Sequence, residues 1–161
     1  MGKNSFRKEK KFIIHKSVFE SIRSDLEIYL KVDSHSDALG YKVRSLYFDT
    51  FENKELFNVL NGNLEKGKIR LRTYGRDFDL FKIELKQKVG EDVMKRHLII
   101  YKKQALEISK GNYNVLLNIK NSFSKSLYAK MKSEMYKPII VIDYNRKGYV
   151  HTNNNIIITY D

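Results

Sequence analysis

The stretch that decides the fold is residues 65–101, EKGKIRLRTYGRDFDLFKIELKQKVGEDVMKRHLIIY. Charged and apolar residues alternate along much of it, which is the pattern of β-strands with one polar and one apolar face. Strands are predicted at residues 65–74, 78–88 and 93–101. Their connections are short and contain glycine, as antiparallel hairpins require. The stretch therefore predicts a three-stranded antiparallel meander.

Further elements are predicted on both sides of this meander. The elements before it are a strand at 6–15, a helix opened by a capping box at Ser17–Glu20, a strand at 41–49 and a short helix at 53–60. The elements after it are helices between about 103 and 136 and strands at 139–149 and 156–160. No linker composition interrupts the sequence, so residues 1–161 are predicted to form a single domain. The predicted fold class is α+β, an antiparallel sheet with helices packed outside. A sheet folded with its charged face inward would form a barrel-like β-tunnel.

Basic residues concentrate on one face of the meander. Because a hairpin joins the first two strands, their polar rows are expected side by side; these rows are Lys68, Arg70 and Arg72, and Lys82, Glu84, Lys86 and Lys88. Like charges on neighbouring strands repel each other, which favours a bound anion between them. An ordinary sheet with one solvated face shows the same alternation and stays open as an alternative.

Composition limits the class of partner. The formal net charge is +12, which attracts polyanions such as nucleic acid, anionic membrane or polyphosphate. There is no cysteine, which excludes disulfides, thiolate zinc sites and thiol nucleophiles. No apolar run reaches the roughly 18 residues that a membrane span needs, and the N-terminus lacks the apolar core of a secretory signal. A cytoplasmic location is expected.

The charged residues suit phosphate chemistry. Arginine offers a planar fork that binds phosphate oxygens in pairs. Glu9 and Glu84 lie among the cations at a parity suited to a divalent metal, and Mg²⁺ or Mn²⁺ takes carboxylate and phosphate oxygens together. Aromatic residues are sparse beside the basic rows, so stacking of nucleic-acid bases is not expected.

Seven motifs follow one another along the chain. They are Arg7-x-Glu9-x-Lys11-Phe12, Ser45-Leu46-Tyr47-Phe48-Asp49-Thr50, Lys68-x-Arg70-x-Arg72-x-Tyr74, Ile83-Glu84-Leu85-Lys86, Lys95-Arg96, Pro138 with Tyr144-x-Arg146, and Ile158-Thr159-Tyr160-Asp161. In this order they resemble the VTC domain, a polyphosphate polymerase domain of the superfamily of CYTH domains and triphosphate tunnel enzymes. The resemblance covers nearly the whole chain. It implies a β-tunnel that binds ATP, triphosphate or polyphosphate with Mn²⁺ or Mg²⁺ and adds the γ-phosphate of ATP to polyphosphate.

The resemblance also implies roles for individual residues. Arg70, Arg72, Lys86 and Glu84 are the expected catalytic residues, with Glu84 orienting Lys86 or a metal-bound water. The expected phosphate contacts are Lys11, Arg70, Arg72, Lys86, Lys95 and Arg146. Glu9 and Glu84 are the expected metal carboxylates. The motif from Ser45 to Thr50 is assigned a mainly structural role, because Leu46 and Phe48 alternate into a core. A contribution of Tyr47 and Asp49 to the tunnel is left open.

Two departures from the family pattern limit the functional prediction. Ile157 stands where the family has an arginine, so one phosphate contact is expected to be missing. The family domain continues where this chain ends, so an incomplete C-terminus and an open sheet edge suited to self-association are expected. Whether this chain is itself an active enzyme is left open. The alternatives are a tripolyphosphate or nucleoside-triphosphate hydrolase of the same superfamily, and a non-catalytic binder of polyphosphate or RNA. A membrane partner is also left open.

Overall fold

The computed structural model describes residues 10–34, 36, 40–75, 79–90, 92–152, 154 and 156–161. They form two compact units. The first unit is Val43–Asp143, and the second combines the described residues before Val43 with the segment from Tyr144 onward. The surface described below as the candidate site lies within the first unit.

The described residues contain four α-helices and seven strands. The helices are α1 (Lys16–Tyr29), α2 (Lys54–Leu60), α3 (Lys102–Ser109) and α4 (Ser122–Ser133), with a 3-10 turn at Tyr113–Leu116. The strands are β1 (Lys31–Val32), β2 (Tyr41–Asp49), β3 (Glu65–Tyr74), β4 (Leu80–Val89), β5 (Asp92–Tyr101), β6 (Lys137–Val150) and β7 (Ile157–Tyr160). Hydrogen-bonded neighbours follow the order β1-β6-β2-β3-β4-β5, and β7 pairs with β6. None of the helices in these ranges is long and apolar enough to cross a membrane.

The predicted meander is confirmed as β3, β4 and β5, which pair antiparallel in sequence order. Strand β3 has the predicted bounds, and β5 begins one residue earlier than predicted. Gly75 and Gly90 have φ values of 76° and 60°, which a residue with a side chain adopts only at a cost. Glycine at these two positions therefore lets the chain leave β3 and β4 tightly enough to form hairpins.

The core of the first unit lies on the apolar face of the meander. Alternate residues of β3, β4 and β5 are buried there against residues of α3 and α4; they are Ile69, Leu71, Ile83, Leu85, Ile100, Ala105, Ile108, Leu127 and Met131. Burying a Leu or Ile side chain contributes about 1.5–3 kcal/mol, so this face fixes which way each strand presents its residues. The residues between them in each strand lie on the opposite face of the sheet, and many of these are polar.

A buried polar network joins α2 to the start of β3. The Asp49 carboxylate accepts hydrogen bonds from the backbone N–H groups of Glu55 (2.9 Å) and Leu56 (3.0 Å) at the N-terminus of α2. Glu55 accepts from the backbone N–H of Gly67 (2.6 Å) and from the Tyr136 hydroxyl (2.8 Å). Burial, and then the bond to Glu55, raise the pKa of Tyr136. A Cβ on Gly67 would lie 2.6 Å from Glu55 Oε1, so any larger residue here would force the Glu55 carboxylate to move from these hydrogen bonds.

Two predicted features at the N-terminal side are wrong where the structure describes them. Residues 10–15 form no strand, and the rest of that predicted strand lies outside the described residues. Helix α1 begins at Lys16, and the Nδ1 atom of its N-cap His15 accepts a hydrogen bond from Ser17 N at 3.3 Å. The capping box at Ser17 is therefore wrong, because Ser17 already lies in the first turn. Strand β1 was not predicted, since two residues are too few to show alternation.

Candidate functional site

The pairing of β3 with β4 places the two basic rows side by side, as predicted. Lys68 lies opposite Lys86, Arg70 opposite Glu84, and Arg72 opposite Lys82. Strand β5 extends the surface, because Lys86 lies opposite Lys95. We call this surface of the first unit the basic face; its residues are Lys68, Arg70, Arg72, Lys82, Glu84, Lys86 and Lys95.

Glu84 is the central carboxylate of the basic face. Its side chain is only 3% exposed, and its two oxygens serve two cations. Oε2 accepts from Arg70 Nε at 2.5 Å, and Oε1 lies 3.1 Å from Lys95 Nζ. Burial opposes ionisation of this carboxyl, but Arg70 and then Lys95 outweigh burial and lower the pKa of Glu84. Glu84 therefore carries its charge at neutral pH and holds two of the predicted phosphate-binding residues in place.

Arg70 is held from two sides. Its Nε donates to Glu84, and its Nη1 donates to the Tyr47 hydroxyl at 3.4 Å. Burial disfavours the guanidinium, yet the Glu84 charge outweighs burial and raises the pKa of Arg70. Burial likewise works to raise the pKa of the Tyr47 phenol, but the hydrogen bond from Arg70 and the charges nearby lower it. Tyr47 thus contacts a predicted site residue, and it lies directly opposite Arg70 on the same face of the sheet. From sequence its motif was predicted to be mainly structural, with a contribution of Tyr47 left open.

Arg72 is more deeply buried than Arg70. The residue is 6% exposed, and its Nε donates to Ser45 Oγ at 2.9 Å. Ser45 is fully buried and lies directly opposite Arg72 in the β2–β3 pairing. Within the described part of the chain, neither terminal nitrogen of Arg72 has a hydrogen-bond acceptor. Ser45 therefore fixes the inner edge of this guanidinium while its two terminal groups remain available to a ligand.

The basic face carries a surplus of positive charge. It contains six cations and one carboxylate, which leaves an excess of five positive charges. Lys68 and Lys86 are exposed and directly opposite each other, and neither has a carboxylate partner among the described residues. Like charges paired across strands destabilise a sheet, so an anion lying between the rows would relieve a repulsion built into the fold.

The remaining predicted phosphate residues belong to the second unit. Arg146 Nε and Nη2 bind the Asp161 carboxylate at 2.5 Å and 2.6 Å, and Nη2 lies 3.3 Å from the Tyr144 hydroxyl. The hydrogen bond to Asp161 raises the pKa of Arg146 above its ordinary value. Lys11 is exposed in a segment without helix or strand, and Glu9 lies outside the described residues. The structure therefore brings together Arg70, Arg72, Glu84, Lys86 and Lys95, and places Arg146 in a separate ion pair.

Arg96 does not join its neighbour Lys95 on the basic face. It lies opposite Leu85 in the β4–β5 pairing and therefore points to the apolar side of the sheet. Its guanidinium sits 5.0 Å from the centre of the Phe123 ring, a cation–π contact at the start of α4. Its buried Nε has no hydrogen-bond partner among the described residues. Only the first residue of the Lys95-Arg96 motif can therefore take part in this site.

The described residues do not form a ready-made metal site. No group of three or more His, Asp or Glu residues converges among them. Both oxygens of Glu84 are engaged by cations, which leaves no carboxylate of the basic face open to Mg²⁺ or Mn²⁺. The metal roles of Glu9 and Glu84 stay predictions.

Comparison with known proteins identifies the family. The model of the VTC domain matches residues 6–161. The chain belongs to the VTC domain family. The solved structure of a provisionally assigned adenylate cyclase from Bacillus halodurans is similar to this VTC domain, with a TM-score of 0.55 and 13% sequence identity over 91% of this chain and 73% of that chain. At this identity the likeness shows the fold alone. No curated protein sequence matches.

The family and the fold class predicted from sequence are therefore confirmed. The fold is an α+β arrangement with a curled antiparallel sheet of the CYTH type and four helices among the described residues. For a VTC domain, ligands that contain linked phosphates are the expected class. The basic face is the part of the first unit whose chemistry suits them.

Proposed function

We propose that this VTC domain binds a linear chain of phosphates along the basic face and transfers the γ-phosphate of ATP to polyphosphate. The observation that carries the proposal is the pairing of β3 with β4, which sets two cationic rows side by side with an excess of five positive charges on the basic face. Residues on one face of a strand recur about every 6.8 Å, so a row of them matches a ligand whose charge also repeats. An isolated orthophosphate can satisfy only one point of such a row.

The hydrogen bonds that hold Arg70 and Arg72 in place support phosphate recognition. Glu84 and Ser45 hold the Nε groups of Arg70 and Arg72, so these side chains lose less conformational freedom when a ligand binds. Guanidinium groups fixed in this way bind phosphate oxygens through charge-assisted hydrogen bonds. Lys86 and Lys95 supply further positive charge at the adjoining strands. Lys11 and Arg146 remain proposed contacts, on the grounds of the family resemblance.

Phosphoryl transfer on such a surface needs positioning and charge neutralisation more than covalent chemistry. A terminal oxygen of the polyphosphate chain attacks the γ-phosphorus of ATP, the bond from that phosphorus to its bridging oxygen breaks, and ADP leaves. Arg70, Arg72 and Lys86 neutralise charge on the phosphoryl oxygens throughout. Glu84 acts as a positioning residue through Arg70 and Lys95. Hydrolysis by a related route differs only in that water is the acceptor.

The proposal is tested by titrating the protein with tripolyphosphate. Arg70→Ala removes a fixed guanidinium from the basic face, and loss of a charged hydrogen bond at about 1.5–3 kcal/mol predicts roughly 10- to 100-fold weaker binding. Arg44→Ala is the matched control, because Arg44 pairs with Asp143 (2.8 Å and 2.6 Å) on the other face of the same sheet. Arg44→Ala is expected to leave affinity within about twofold, since its charge is already paired.

Two further ligands separate the alternatives. A single-stranded RNA of matched charge that binds as tightly as tripolyphosphate would show an ordinary charged surface and contradict the proposal. Equal losses in Arg70→Ala and Arg44→Ala would do the same. With labelled ATP and a polyphosphate acceptor, label in polyphosphate supports transfer, whereas label only in orthophosphate supports the hydrolase. The predicted cytoplasmic location, a membrane partner and self-association at a sheet edge stay predictions.

A further inference from the structure

Strand β6 carries an apolar run that the first unit leaves uncovered. Residues 137–143 read KPIIVID, so four apolar residues in succession lie between a lysine and an aspartate. The exposed fractions of Ile139, Ile140, Val141 and Ile142 are 45%, 53%, 54% and 43%. Because successive residues of a strand point to opposite faces of the sheet, the exposure of all four means that neither face of the strand is covered here.

The backbone of this run also has an open side. Strand β6 has β2 as a hydrogen-bonded neighbour in the order of the sheet. Its pairings with β1 and β7 involve residues 147–150, which belong to the second unit. Within the described part of the first unit, no further strand pairs with residues 139–142. An open strand edge presents unpaired N–H and C=O groups, which bond readily to another strand.

The composition of this edge favours pairing. Natural proteins protect open edges with charged residues, prolines or bulges. Lys137 and Pro138 stand before the run, but residues 139–142 contain neither a charge nor a proline. All four are β-branched, and such residues have a high strand propensity. The edge is therefore suited to bind a strand along the length of the run.

We propose that this edge of β6 pairs with the same edge of a second copy of the chain, antiparallel and centred on Ile140. Charge complementarity selects this partner. The register sets Ile140 opposite its own copy and Ile139 opposite Val141. Lys137 of each copy then lies opposite Asp143 of the other, so a cation meets a carboxylate at both ends of the apolar run. A twofold interface requires a surface that is complementary to itself in this way.

Both charged residues can make this contact while keeping their present ones. Asp143 accepts from Arg44 Nε at 2.8 Å and from Arg44 Nη2 at 2.6 Å, and an ionised carboxylate has about four acceptor positions. Lys137 Nζ lies 4.5 Å from the centre of the Phe51 ring, and its N–H groups can still donate to an oxygen. A register shifted by two residues would lose the pair of Lys137 with Asp143, so the charges favour one alignment.

The test measures the oligomeric state by sedimentation velocity over a range of protein concentrations. The unaltered chain is expected to form a dimer that dissociates on dilution, because a single strand pair is at the small end of the range of interface sizes. Ile140→Lys sets two like charges opposite each other and removes an apolar contact from both copies. We expect association to weaken roughly 10- to 100-fold in Ile140→Lys, and equally in Ile140→Glu.

A mixture of these two variants tests the register itself. Ile140→Lys mixed with Ile140→Glu should restore the dimer that neither forms alone, because opposite charges then face each other at the centre of the strand pair. The control is Ile157→Lys, which alters an isoleucine of similar exposure (49%) on β7. This control is expected to dimerise as the unaltered chain does.

Each other result contradicts the proposal. A monomer at every concentration of the unaltered chain overturns the second copy as the partner and leaves the edge to a strand of a different protein. A dimer that persists in Ile140→Lys, or that is lost equally in Ile157→Lys, overturns the assignment to this edge. Variants that stay monomeric when mixed overturn the register. The state of the unaltered chain decides the matter even where a variant folds poorly.

Discussion

Two arginines, Arg70 and Arg146, are each fixed by a carboxylate, yet their surroundings differ. Glu84 is 3% exposed and shared between Arg70 and Lys95, so this group carries a surplus charge at the centre of the meander. Asp161 is 45% exposed and binds Arg146 through two oxygens, which makes an evenly matched pair. The same residue types therefore make an anion-attracting group in one unit and a neutral pair in the other. Alternation in the sequence alone does not distinguish the two.

The largest expected effect comes from removing each carboxylate. Glu84→Gln leaves Arg70 and Lys95 unpaired among other cations, and we expect a loss of about 2–3 kcal/mol in the free energy of unfolding, below the figure for a fully buried pair because Lys95 is half exposed. Asp161→Asn breaks an ion pair at the surface and is expected to lower the free energy of unfolding by about 0.5 kcal/mol. Urea unfolding measures both.

Tripolyphosphate sharpens this first comparison. It should restore more stability to Glu84→Gln than to Asp161→Asn, because an anion can replace the missing carboxylate beside Arg70. Equal losses in the two variants without ligand, or equal rescue with it, would show that the two arginines are in equivalent surroundings.

The second prediction concerns how the free energy of unfolding changes at low pH. The lowered pKa of Glu84 means that its contribution to stability is fully present above the ordinary glutamate pKa of about 4.3 and is lost as pH falls through the lowered folded value. The stability advantage of the unaltered protein over Glu84→Gln should therefore be constant near neutral pH and shrink below about pH 4. Urea unfolding of both proteins at pH 7 and pH 3 measures it. An advantage that is unchanged at pH 3 would contradict the ion-paired state of Glu84.

The smallest expected effect is at the two tyrosines. Tyr47→Phe removes the hydroxyl that accepts from Arg70, and Tyr144→Phe removes the one beside Arg146. We expect tripolyphosphate binding to weaken about twofold in Tyr47→Phe, consistent with about 0.5 kcal/mol for one long hydrogen bond, and less in Tyr144→Phe.

A spectroscopic readout tests the Tyr47 contact independently of binding. Because the pKa of Tyr47 is lowered, an alkaline absorbance titration should show one tyrosine that ionises before the ordinary value of about 10. This phase should disappear in Tyr47→Phe and persist in Tyr144→Phe. Its persistence in Tyr47→Phe would assign it to another residue.

Much of the first unit could be predicted from sequence because its signals are local. Alternation in β3 and β4 defined both faces, and glycines with positive φ marked the hairpins. Strand β2 has the predicted bounds for the same reason. The short helix before β3 was also predicted from the glycine that closes it, since Gly62 (φ 70°) follows its end. Its N-cap Asn53 makes no side-chain capping bond.

The partners of the site residues could not be predicted in the same way. Ser45 and Tyr47 contact the arginines only because β2 pairs with β3 at one particular register, which a single strand's pattern does not encode. That Glu84 is shared by Arg70 and Lys95 depends on the positions of three strands. Arg96 shows the reverse case: its position opposite Leu85 places a charged residue of a basic motif on the apolar side, where it lies over the Phe123 ring.

The like-charged pairs across β3 and β4 also determine how ionic strength acts on this protein. Lys68 lies directly opposite Lys86, and both are exposed, with directly opposed Cβ atoms about 4.5–5.5 Å apart. Exposed charges such as these are screened by salt, with a Debye length of about 8 Å at physiological ionic strength. Added salt weakens their repulsion and favours the folded chain without ligand, while the same salt weakens attraction to a polyanion. A buffer chosen to keep the purified protein stable is therefore the one in which its ligand is hardest to detect.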